Sequence, residues 1–208
     1  MSDYLINLKI EKMRRETTEV RQEQIKKALL ELIAEQGLHN VSTRNLAQKI
    51  GLSEGAIFRH FKTKRDIVKG IMDDVDDVLV AKLRGIVLSP IKAEQKMFDY
   101  LCANVKYLKE NRGVTILLFS EATHLGDKEL KEKLSQILSE QKQFIIKIAK
   151  QGINEGFWDS AINPEDFATI YMGIPITFNI EFVLNKSNLN TDNFCKRMYP
   201  IILKALNK

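Results

Sequence analysis

Residues 42–64 read STRNLAQKIGLSEGAIFRHFKTK, and their spacing describes two short helices crossing at a steep angle. Ser42 and Ser53 each stand where a side-chain oxygen can accept from the free amides of a first helical turn. Ala47 is small enough for two backbones to approach, and Gly51 supplies the tight turn between the helices. Leu46, Ile50, Leu52, Ile57 and Phe61 form the apolar contacts that lock the pair onto a preceding helix. Glu54, Gly55, Ala56, Arg59 and His60 remain on the outside, at the N-terminal and solvent side of a helix suited to a DNA major groove.

Working outward, Ile25, Ala28, Leu29, Leu32 and Ile33 recur every three or four residues, so Thr18 to Gln36 forms one amphipathic helix that Gly37 ends. A fourth helix begins near Thr63 and runs to about Leu88, where Ser89 and Pro90 break it. Further helices are expected at about 91–109, 112–123, 127–155, 165–184 and 192–206. The fold class is therefore all-α, with about nine helices. The expected division is a basic extension over 1–17, a three-helix helix-turn-helix domain over 18–63, and a larger helical domain for ligand binding and dimerisation over 64–208.

Phe167 to Leu184 is apolar around nearly its whole circumference and long enough to span a bilayer. Pro175, Thr177, Asn179 and Glu181 would be awkward in lipid, so the reading is no membrane contact. A helix buried between its own domain and a second copy of the chain needs apolar residues on two faces. Pro175 should bend it. The expected homodimer is built from the helices at about 165–184 and 192–206, with Phe178 and Phe182 in its contacts.

Charge is unevenly placed. Residues 1–70 carry 14 Lys/Arg and 9 Asp/Glu, an excess equal to the whole chain's net charge of +5. Residues 38–70 hold seven basic residues against only Glu54 and Asp66, as a phosphate-binding module would. The basic arm with Lys9, Lys12, Arg14 and Arg15 is either a minor-groove insert or a frayed extension. Cys102 and Cys195 lack the close spacing of a zinc or redox motif and read as reduced, buried thiols. The three histidines lie in separate segments. No nucleophile elbow, phosphate-binding glycine loop or paired catalytic carboxylates accompany them, so an enzyme is not expected, nor any cofactor or metal. Asp73, Asp74, Asp76 and Asp77 read as a solvated helical face. No secretion signal is legible, which makes a cytoplasmic, nucleoid-associated protein the expectation.

STRNLAQKIG followed by GAIFRHFKTK resembles the helix-turn-helix of the TetR/AcrR family of transcriptional regulators, a likeness covering roughly residues 21–70. The resemblance implies that Thr43 contacts phosphate and that Arg44 reaches a base, commonly guanine. It implies that Ser53, Glu54, Gly55 and Ala56 lie at the DNA-facing start of the recognition helix. Arg59 and His60 would supply polar contacts further along, Arg59 either to a base or to phosphate alone. Lys64 and the amides opening the fourth helix would hold phosphate. Phe58 stands where the family usually has tyrosine, which keeps a ring for a thymine methyl or sugar and removes a hydroxyl. Glu54 would either accept from cytosine or orient a neighbour.

Phe98, Leu101, Cys102, Phe119, Phe144, Trp158, Tyr171 and Ile174 could line a cavity in the C-terminal part, with Glu121 or His124 as polar anchor. The resemblance implies a regulator, expected to be a repressor released from double-stranded operator DNA by an apolar or amphipathic small-molecule inducer. The competing expectation is a DNA-bound adaptor whose C-terminal helices engage a protein partner.

Overall fold

A computed structural model of the chain describes residues 17–124, 127–185 and 190–206, with the side chains of 121–124 left aside. The expected basic extension, the anchors Glu121 and His124, and the arm residues Lys9 to Arg15 lie outside the described residues or side chains. Nine helices are found among the described residues: α1 (Thr18–Gln36), α2 (Thr43–Lys49), α3 (Glu54–His60), the composite α4, α5 (Ala93–Glu110), α6 (Val114–His124), α7 (Lys128–Asn154), α8 (Pro164–Leu184) and α9 (Phe194–Leu206). One 3₁₀ turn, Leu38–Asn40, links α1 to α2. No strand occurs among these residues, so the all-α reading holds.

Local chemistry sets the helix starts. Ser42 and Asn45 form a reciprocal capping box, as do Thr63 and Asp66, and Ser53 Oγ accepts from the Ala56 amide at 3.2 Å. Gly37 and Gly51 adopt positive φ of 81° and 67°, the conformation that turns the chain at little cost only for glycine. Ile25, Leu29, Ile33, Leu46, Ile57 and Phe61 bury together where α1, α2 and α3 meet.

The fourth helix was expected to be uniformly α-helical. It instead runs as Lys64–Asp74, a π-helical Val75–Val80 and Ala81–Leu88, continuous because Asp74, Val75 and Ala81 all keep right-handed helical dihedrals. π turns are uncommon and tend to fall at functional sites. This one places Val75 and Leu79 against the interior of the larger domain.

Ion pairs fasten α4 on both sides. Lys26 of α1 donates to Asp74 at 2.6 Å, and partial burial raises the Asp74 carboxyl above its usual range although Lys26 opposes the shift. Lys133 of α7 pairs with Asp73. Two of the four aspartates expected as a solvated face thus tie α4 to different helices, because neighbouring residues point about 100° apart around the axis.

Arg65 grips Asp127 and Glu129, and Lys69 reaches Glu129 at 2.6 Å. The Arg65 guanidinium, followed by the Leu130 amide, holds the Asp127 carboxyl down at about 2, and Lys69 and then Arg65 lower that of Glu129. A lowered carboxylate contributes stability that is complete above its unfolded pKa near 4 and is lost as pH falls through the folded value. Thermal stability is therefore expected to decline from about pH 4 toward pH 2, more steeply than in Asp127→Asn. Equal slopes in melting curves taken across that range would remove Asp127 from the account.

Candidate nucleic-acid interface and interior cavity

The caps that start α2, α3 and α4 also orient the outer face. Thr43 and Arg44 are the first two residues of α2, Glu54 and Gly55 open α3, and Lys64 opens α4. Arg44, Glu54, Gly55, Phe58, Arg59 and Lys64 are exposed, and Thr43 and Ala56 are half-buried. Thr43, Phe58, Thr63 and Lys64 border one small cleft, which brings the openings of α2 and α4 together beside the recognition helix. A helix N-terminus is in general favourable to phosphate. A Cβ added to Gly55 would meet nothing within 4 Å, so internal packing does not require glycine there. Phe58 leaves 46% of its surface in solvent, a large apolar group awaiting contact.

Two sequence candidates sit differently. Ser53 spends its hydroxyl on capping α3. His60 is half-buried, borders a hollow with Gln22, Lys26, Asp73 and Asp74, and encloses a partnerless Nδ1. The last turn of α3 carries it toward α1 and α4, and away from Arg44. The basic count of the motif also thins. Lys49 bonds Glu35 and Glu31, while Arg65 and Lys69 bind the start of α7, so three of the motif's seven basic residues face carboxylates of the chain itself.

In the larger domain, α4, α5, α6, α7 and α8 surround a cavity of about 70 Å³. Of the eight expected lining residues whose side chains are described, Phe119 and Tyr171 border it. Leu101 is fully buried in ordinary core packing, and Phe144 and Ile174 pack on that core from its edge. Trp158 lies over Gly152 on the far end of α7. Phe98 and Cys102 face a separate hollow against α9. That hollow also holds Cys195, so the cysteines expected as separate buried thiols are instead half-buried neighbours.

The wall that sequence reading missed is the stripe Tyr100, Asn104, Tyr107 and Leu108 of α5, together with Val75, Leu79, Gln141 and Pro175. Polar residues recurring at i, i+4 and i+7 on the buried side of α5 were the available signal. Their polar atoms are largely committed. Tyr171 Oη donates to the Met97 carbonyl at 2.5 Å, Tyr100 Oη to that of Gln141 at 3.2 Å, and Asn104 Nδ2 to that of Tyr100 at 3.2 Å. Burial raises both phenols above their ordinary pKa, which keeps the wall neutral at physiological pH. No Asp, Glu, Lys, Arg or His borders the cavity among the described residues.

Two capped short helices on a third, with an exposed basic rim and a glycine open to the outside, define a helix-turn-helix DNA-binding protein joined to a second helical domain. Residues 25–71 match the family described as bacterial regulatory proteins, tetR family. Nucleoid occlusion factor SlmA of Haemophilus influenzae is 22% identical over 147 residues, 70% of this chain and 67% of that protein. Among solved structures, the ketosteroid transcriptional regulator KstR2 of Mycobacterium tuberculosis superposes with a TM-score of 0.77 at 18% identity, covering 90% of this chain and 95% of that one. The transcriptional regulator FadR of Bacillus subtilis, solved with stearoyl-CoA, gives 0.69 at 19% identity over 89% and 99%. Residues 25–71 thus match the DNA-binding module of the tetR family, and the fold of the larger chain is that of solved TetR-type regulators.

Proposed function

We propose that this protein is a homodimeric repressor that reads double-stranded operator DNA through α2 and α3 and is released when a small, uncharged, apolar inducer enters the cavity. The observation that carries this reading is α4. Its first residue borders the DNA-facing cleft, and its π turn supplies Val75 and Leu79 to the cavity wall. On this reading residues 18–63 bind DNA, and 64–208 bind ligand and dimerise.

Thr43 and Lys64 hold phosphate, Arg44 reads a base, and Gly55, Ala56 and Phe58 meet base edges or sugar. Glu54 and Arg59 flank them. Ser53 supports the surface as a cap, and His60 is set back from it. A cavity near 70 Å³ is below the roughly 150 Å³ in which an apolar pocket admits benzene, so a ligand must part the surrounding helices to enter. That parting moves α4, and with it the DNA-binding domain. A neutral wall disfavours the charged headgroup of a ligand such as the stearoyl-CoA bound by the FadR relative.

The test is operator binding by two variants. Lys64→Ala should weaken binding on every DNA and flatten its salt dependence by about one counterion per contact, whereas Arg44→Ala should erase about 1–3 kcal/mol of sequence discrimination. An Arg44→Ala protein that keeps the wild-type preference would sink the base-reading role. A compound that weakens operator binding must itself bind more weakly, by the same factor, when operator is saturating.

The adaptor reading draws support from the nucleoid occlusion factors among the relatives and from apolar residues left exposed on α8. A protein partner would then cover that stripe in place of a second copy.

A further inference from the structure

The chain contains two cysteines, 93 positions apart, and the fold sets them side by side. Phe98 of α5 meets Tyr199 of α9 edge to face at 5.1 Å, and one helical turn along each, Cys102 meets Cys195. Rising numbers on α5 pair with falling numbers on α9, so the two helices are antiparallel and the thiols are one rung of their contact. Cys102 and Cys195 line the same hollow between the two helices. Both face an open hollow, so a small reagent can reach them.

We propose that Cys102 and Cys195 form a modification site that a hydroperoxide closes to an intramolecular disulfide, pinning the first turn of α9 to the middle of α5. One thiolate attacks hydrogen peroxide, the O–O bond breaks, and a sulfenic acid and hydroxide result, the hydroxide becoming water with the proton that the thiol released. The second sulfur then displaces the sulfenic oxygen as water and the S–S bond forms. Two thiols are oxidised, one peroxide is reduced, and two protons leave with the waters. The pairing requires no unfolding, because the helices already set both residues at one hollow, one turn from the Phe98–Tyr199 ring contact.

The surroundings set the rate. Burial, then the neighbouring Cys195 and Asp99, push the Cys102 thiol up to about 12. Glu110 adds negative charge along the same hollow, while Lys106 and Lys109 of α5 and Lys196 of α9 stand at it with positive charge. At neutral pH the Cys102 thiolate is therefore scarce, and closure begun by attack of Cys102 should be slow and accelerate as pH rises.

The experiment is hydrogen peroxide treatment of the full-length protein, read by thiol titration, intact mass and a non-reducing gel. The expected result is loss of both titratable thiols, a mass lower by about 2 Da, migration as a monomer, and return of two thiols on reduction. Cys102→Ser and Cys195→Ser should each stop at a sulfenic acid that a dimedone probe captures. Two thiols that persist at pH 9 while the urea-unfolded chain oxidises would overturn the proposal. So would products linked between chains, or wild-type protein halting at the sulfenic or sulfinic stage.

Discussion

Gly152→Ala is expected to lower the melting temperature by several degrees, although alanine is the better helix former by about 1 kcal/mol. The added Cβ would sit 2.1 Å from Cε3 and 2.4 Å from Cζ3 of Trp158. An indole cannot give way as a flexible chain end would. Trp158 is 5% exposed, its amide bonds the Gly152 carbonyl, and the next amide, that of Asp159, holds the Leu206 carbonyl at 2.9 Å. Moving the ring therefore disturbs the joint between α7 and the end of α9. Overpacking of this kind costs about 1–3 kcal/mol, and at this chain length each kcal/mol shifts Tm by roughly 2–4 °C. Calorimetry that returns an unchanged or higher Tm would show that Gly152 is not the seat of Trp158.

Ile170→Glu is expected to leave the subunit folded and to weaken the proposed homodimer. Ile170 and Leu184 are 71% and 72% exposed, and with Gly173, Ile174, Thr177 and Ile180 they form one stripe along α8. Ile201, 61% exposed, adds to it from α9. Phe178 does not serve as a probe, because it is 1% exposed among Phe182 and Phe194, and a charge there would unfold the core.

In a two-fold interface each substitution counts twice. At about 2 kcal/mol per central residue, association should weaken roughly 10³-fold, and operator affinity should fall with it. Sedimentation gives the first number and an unchanged Tm at low protein concentration gives the control. A variant that still sediments as the dimer would take Ile170 out of the interface. A wild-type chain that is monomeric at micromolar concentration would end the homodimer reading and favour a different partner for the stripe.

The sequence by itself determined the helix-turn-helix. Ser42 and Ser53 cap amides three residues away as read, Thr63 does the same where a helix start was expected, and Gly37 and Gly51 set dihedrals at their own positions, so the information is local. The same reach placed Thr43 and Lys64 at the openings of α2 and α4, where both border one cleft.

Tertiary structure alone decided the interior. The apolar pattern marks which side of α5 or α7 is buried but not which buried residue borders empty space, so Leu101 became core, Trp158 a lid on Gly152, and Tyr100 and Asn104 the cavity wall. The partners of Lys49, Asp73 and Asp74 likewise lie 14 to 60 residues away on other helices. The Cys102–Cys195 rung depends on how α5 and α9 cross. Periodicity is a property of one helix, whereas a cavity, a clamp or a thiol pair is a property of the distance between two, and that distance is set only when all the side chains pack together.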